Sequence, residues 1–150
     1  MLFHKLYSSV FGIGFIKGGG SIAAAVCGIC WYLAWSGSTP PLAISLVVTA
    51  LITLIGVWSS SIVESVWGKD PSKVVIDEVS GMCISLLFLP VNVTYVLCAF
   101  ILFRFFDIVK PLYVRKMELL PAGWGIMMDD VLAGVYTNIL LQIVLWFKLF

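Results

Sequence analysis

The charges of this chain are few, and they are gathered at the edges of apolar runs. Only 11% of its 150 residues are charged, while 61% are hydrophobic. Apart from Glu64, the acidic residues fall in three stretches, at residues 70–78, 107–118 and 129–130. A soluble domain needs a polar surface that this composition does not supply, and a mean hydropathy of +1.09 agrees. The expected class is an all-α, polytopic integral membrane bundle of about four to five apolar helices, some short or interrupted. Carboxylates held with Arg and Lys beside a bilayer are costly, and their retention points to a polar, metal-binding site on one face of the bundle.

The length fits a single domain over residues 1–150. A net charge of +1 makes no electrostatic case for nucleic acid. Any anionic partner must be recognised by a local cluster. Cys27, Cys30, Cys83 and Cys98 lie in apolar segments. The C-x-x-C spacing of the first two has no second pair or histidine cluster beside it, so small apolar side chains without disulfides are expected. The sole histidine, His4, reads as interfacial, and a cysteine or histidine nucleophile is not expected. The start runs into glycine-rich sequence, and no cleavable leader is expected there.

Residues 1–21 read as an entry segment with five glycines, closed by Ser21. Apolar helices are expected at about 22–35, 42–63, 79–89, 95–106 and 131–147. A Ser/Gly/Pro turn at 36–41 and a bend at 90–94 around Pro90, Asn92 and Thr94 separate them on one side. Polar loops at 64–76 and 110–125 separate them on the other, with Pro111 stopping the fourth helix. The second helix is the clearest span; the third and fourth runs are short and read as a hairpin or as helices buried against neighbours. Lys69, Lys73, Arg104, Lys110, Arg115 and Lys116 all fall at the polar loops, and the turn and bend carry no basic residue. That asymmetry places the acidic clusters on the cytoplasmic face.

Three motifs converge there. The first runs from Asp70-Pro71-Ser72-Lys73 to Asp77-Glu78 and Gly81. The second is Arg104-x-x-Asp107-x-x-Lys110, whose spacing of three drifts slowly around a helix and aims the three side chains at one site. The third runs from Gly123 through Asp129-Asp130 to Gly134 and opens the last helix. Asp77 precedes Gly81 by four residues and Asp130 precedes Gly134 by four, so a glycine lies one turn beyond each carboxylate and permits close approach. Each motif alone has a structural reading, since carboxylates suit helix N-termini and basic side chains snorkel to the interface. Together, the two acidic pairs repel each other unless cations compensate. A hard divalent cation such as Mg2+ is the natural remedy, with Asp77, Glu78, Asp129 and Asp130 as ligands. Carboxylates, metal, Arg and Lys make a phosphoryl-transfer set. Arg104, Lys110, Lys73 and Ser21, the last at a helix start, are the expected phosphate contacts. Asp107 joins the carboxylates as a catalytic candidate.

These residues resemble the bacterial phosphatidylglycerophosphatase A family. The resemblance rests on Asp-Pro-Ser-x-Val-Val-x-Asp-Glu-x-x-Gly, Phe-Arg-x-Phe-Asp-x-x-Lys-Pro and Gly-x-Gly-Ile-Met-x-Asp-Asp-x-x-Ala-Gly, in that order over residues 70–134. It implies a Mg2+-dependent inner-membrane enzyme that removes the terminal phosphate of phosphatidylglycerophosphate. The motif positions carry over to Asp70, Asp77, Glu78, Arg104, Asp107, Lys110, Asp129 and Asp130. The amino-terminal glycine motif departs from the family, with Lys17-Gly18-Gly19-Gly20-Ser21 lacking its Pro and Thr. The rival reading is a divalent-cation transporter or channel with an acidic cluster at its cytoplasmic face, but the charges lie at helix ends and not along a path through the membrane.

Overall fold

The computed structural model describes residues 1–38 and 40–149. Among them are seven α-helices and no strand: α1 Leu2–Ser8, α2 Gly19–Trp35, α3 Leu42–Trp67, α4 Ile76–Leu86, α5 Val93–Val109, α6 Val114–Met117 and α7 Gly123–Trp146. The expected turn at 36–41 is present, although Thr39 lies outside the described residues. Its far end meets the bend that precedes α5: Gly37 N–H donates to the Val91 carbonyl, and Val91 N–H to the Ser38 carbonyl, each at 3.2 Å. The Asn92 side chain caps α5 by accepting from Tyr95 N–H at 2.9 Å. The uncharged connections therefore share one end of the bundle.

Two helices, α3 and α7, are long and apolar enough to cross a membrane. At 26 and 24 residues they reach about 39 and 36 Å, beyond the ~30 Å hydrocarbon core. The remaining apolar segments are shorter than the expected four to five spans require. α4 has 11 residues and reaches only about 16 Å. It survives because it is central, packing most extensively on α7 and also on α2, α3 and α5.

Stopping a helix inside an apolar bundle leaves carbonyls without partners, which a dry environment penalises heavily. Two polar residues of α7 meet that need. Asn138 Nδ2 donates to the carbonyls of Ser85 at 3.1 Å and Leu87 at 2.7 Å, and Gln142 Nε2 donates to Leu87 at 3.3 Å. The core runs around this junction, with Met82, Leu86, Leu89, Phe103 and Leu141 fully buried.

The glycine-rich entry segment is more ordered than the sequence suggests. α1 docks on α3 through His4 Nδ1 and Ser59 Oγ at 3.1 Å and through the Tyr7 hydroxyl, which donates to the Ile52 carbonyl at 3.1 Å. The last helix also starts earlier than expected, at Gly123 instead of about 131. Gly123 N–H donates to Ser61 Oγ at 3.0 Å, and its bare Cα lies against the Val57 carbonyl of α3. Packing that close selects glycine and overrides its poor helix propensity.

Candidate active site

α4, α5 and α7 carry the charged side chains to one place. Asp77 and Glu78 lie in the first turn of α4. The segment before them is pinned by Val75 N–H, which donates to the Ser8 carbonyl at 2.8 Å. Asp130 comes from α7, already two turns in, because the helix begins at Gly123. Asp77, Glu78 and Asp130 each offer a carboxylate oxygen within 4.8 Å of the other two. The Glu78 carboxylate lies directly against Gly20, where even a methyl group would collide with it.

Two cations border the cluster. The Arg104 guanidinium pairs with Asp107 and stands 3.7 Å from Glu78. Lys110 ends α5 in the left-handed region at φ 50°. Its Nζ donates to Asp129 and to Glu118, each at 2.6 Å. Asp129 and Asp130 therefore separate: neighbours on a helix point about 100° apart, so one meets Lys110 and the other the cluster. Of the four expected ligands, the tight group holds Asp77, Glu78 and Asp130. Glu118 was not anticipated. It comes from the polar loop, and no helical spacing links it to Lys110.

The cluster is short of positive charge. Burial first, then the charges of Glu78 and Asp130, hold the Asp77 carboxyl well above its ordinary range. Glu78 is also raised, by burial above all, although Arg104 opposes the shift. Burial pulls the Lys110 ammonium down, but its bonds to Asp129 and Glu118 outweigh this and its net shift is upward. One oxygen on each clustered carboxylate is buried without a protein hydrogen-bond partner: Asp77 Oδ1, Glu78 Oε2 and Asp130 Oδ2. Arg104 Nε is in the same condition. Orphaned buried carboxylate oxygens are expensive. Three clustered carboxylates with such oxygens form a donor set suited to a hard divalent cation.

The other expected site residues lie outside this group. Lys73 is exposed, with its ammonium 5.5 Å from the Phe15 ring centre and 5.7 Å from that of Trp67. With Gly18, Gly19 and Gly20 it lines a polar cleft at the head of α2. Ser21 is half-buried in the first turn of α2. Asp70 is exposed and lines a separate cleft with Lys69 and Glu118. One spacing requires correction of the expectation about cysteine chemistry. Cys98 does precede Arg104 by six residues, the interval of a cysteine-phosphatase loop. Both residues are inside α5, whose helical backbone does not wrap an anion.

Comparison with known proteins adds the decisive observation. The model of the family described as phosphatidylglycerophosphatase A matches residues 6–145. The chain belongs to the phosphatidylglycerophosphatase A family. Among relatives, a phosphatidylglycerophosphatase A of Haemophilus influenzae is 38% identical over 123 residues, 80% of this chain and 72% of that protein. The phosphatidylglycerophosphatase A of Escherichia coli is 41% identical over 68 residues, 44% of this chain and 40% of that protein. A Bacteroides thetaiotaomicron protein, provisionally described as a phosphatidylinositol-3-phosphatase, is 56% identical over 99 residues. That match covers 64% of this chain and 62% of the relative, less than two thirds of its length. No solved structure matches the chain at a significant level.

Proposed function

We propose that this chain is a Mg2+-dependent phosphatase of phosphatidylglycerophosphate, cleaving the terminal phosphomonoester to give phosphatidylglycerol and phosphate. One observation carries the reading: in a member of this family, three carboxylates cluster beside a half-buried arginine, and each has one buried oxygen without a protein partner. Asp77, Glu78 and Asp130 would hold the cation, which would supply positive charge at the phosphate oxygens and lower the pKa of an attacking water. Arg104, fixed by Asp107, directs its unpartnered Nε–H to the phosphate. Lys110 has three donors, of which Asp129 and Glu118 take two, leaving one for the substrate. Lys73 and Ser21, at the head of α2, extend the anionic contacts toward the rest of the headgroup.

The enzyme works as a multi-pass protein of the bacterial inner membrane, with this face toward the cytoplasm. The basic residues at that end and the uncharged connections at the other support this orientation. With the four native cysteines replaced, Ser38→Cys is expected to react with an impermeant thiol reagent from the periplasmic side and Ser72→Cys is not. Labelling of Ser72→Cys from outside would invert the orientation.

The Bacteroides relative favours a second substrate, a phosphatidylinositol phosphate, because it too is a membrane-lipid phosphomonoester. The transporter alternative gains no support from any relative. Purified protein is expected to release phosphate from phosphatidylglycerophosphate, to stop when EDTA is added, and to resume with excess Mg2+. Turnover that persists in EDTA would refute metal dependence. Release from phosphatidylinositol 3-phosphate with none from phosphatidylglycerophosphate would move the assignment to the second substrate.

A further inference from the structure

We infer that an apolar groove between α2 and α3 receives one acyl chain of the lipid whose phosphate meets the carboxylates, so that the protein grips its substrate by a tail as well as by the headgroup. The inference rests on the reading of the site as a lipid phosphatase. Both helices pack on α4, but among the described residues they make no extensive contact with one another. The gap is a cavity of about 350 Å3, within the range of small-ligand sites.

Its walls are regular. On α2, Ala23, Cys27, Cys30 and Ala34 follow one another at helical spacing and form a continuous stripe. On α3, Ser45, Val48 and Ile52 form the opposite wall. Val79 and Cys83 of α4 make the floor. The small residues of the α2 stripe leave space between the larger Trp31 and Trp35, which line the same wall, while Val26, Ile44 and Val48 are exposed at the mouth. From Ala23 to Ala34 the stripe runs about 16 Å along the helix, roughly half of the ~30 Å hydrocarbon core.

Continuity with the site identifies the occupant. The floor begins at Val79, the residue after Glu78. The α2 wall begins at Ala23, one turn beyond Gly20, which touches the Glu78 carboxylate. A diacyl lipid with its phosphate at Glu78 thus has an apolar slot for one chain directly beneath its glycerol. A polar ligand would not match an apolar slot that begins at the site.

Val48→Trp fills the groove from a position already exposed, so the bundle keeps its packing. In mixed micelles with Mg2+, the variant is expected to lose at least tenfold in kcat/KM on dioleoyl phosphatidylglycerophosphate. Hydrolysis of the same headgroup without acyl chains should be unchanged. An equal loss on both substrates, or no loss on either, overturns the inference. A second measurement needs no turnover. Dioleoyl-type phosphatidic acid with a diazirine midway along one chain should crosslink wild-type protein within residues 23–34 and 45–52, and Val48→Trp should abolish this. Groove crosslinks in a protein that hydrolyses neither lipid phosphomonoester would retain the groove and reject the enzymatic reading. Crosslinks spread evenly over the apolar surface would overturn the groove.

Discussion

Asp130→Asn is expected to lower turnover of the lipid phosphomonoester by about a hundredfold or more, the scale of losing a group that places a catalytic metal. The substitution keeps the shape of the side chain and removes its charge. Asp130 is almost wholly buried, with one oxygen unpartnered and the other two clustered carboxylates within reach. Losing that charge relieves repulsion on Asp77, so the metal-free variant should melt no lower than the metal-free parent. Mg2+ should raise the melting temperature of the parent much more than that of the variant, because a ligand at 100 times its Kd adds about 2.7 kcal/mol to the folded state. Excess Mg2+ should restore part of the activity. Arg104→Lys provides the contrast: charge is kept and the planar fork lost, so turnover should fall while Mg2+ stabilisation persists. Full activity of Asp130→Asn at ordinary Mg2+, or equal stabilisation of parent and variant, would remove Asp130 from the metal site.

What the sequence disclosed and what it concealed divide along a physical line. Charge position was legible, because few charges can sit in an apolar chain, and carboxylates from three separate stretches gather with Arg104 and Lys110. The bend at Asn92 was legible too, since a side-chain cap is a local device. The glycines four residues after Asp77 and Asp130 were visible as a spacing, although their meeting across α4 and α7 was not. Features that depend on distant partners were hidden. The start of α7 at Gly123 is set by the Val57 carbonyl and Ser61 on α3, while Gly123, Trp124 and Gly125 read as the end of a polar loop. Asn138 and Gln142 look like stray polar residues until the end of α4 is found beneath them. The pairing of Lys110 with Glu118 spans a loop that carries no periodicity.

Gly134→Val is expected to cost about 3 kcal/mol of stability and to disable the site even where the bundle survives. A Cβ at Gly134 would collide with the Gly81 carbonyl, and one at Gly81 would meet the Phe103 ring and lie 2.7 Å from the Asp130 carbonyl oxygen. Backbone cannot rotate aside as a side chain can, so α4 and α7 must separate; overpacking of this kind typically costs ~1–3 kcal/mol, sometimes more. The consequence for chemistry follows from where the pair sits. Asp77 and Glu78 ride on α4 and Asp130 on α7, each aspartate one turn from its glycine. The glycine contact therefore sets the distance between the two halves of the carboxylate cluster. Gly134→Ala is the gentler version, and its loss of kcat/KM should exceed what its fall in melting temperature explains. Mg2+ stabilisation should weaken in parallel, because the ligands have moved apart. A Gly134→Val protein that melts as the parent does and turns over at the parental rate would show that the helices approach through other contacts, and that the glycines do not govern the site.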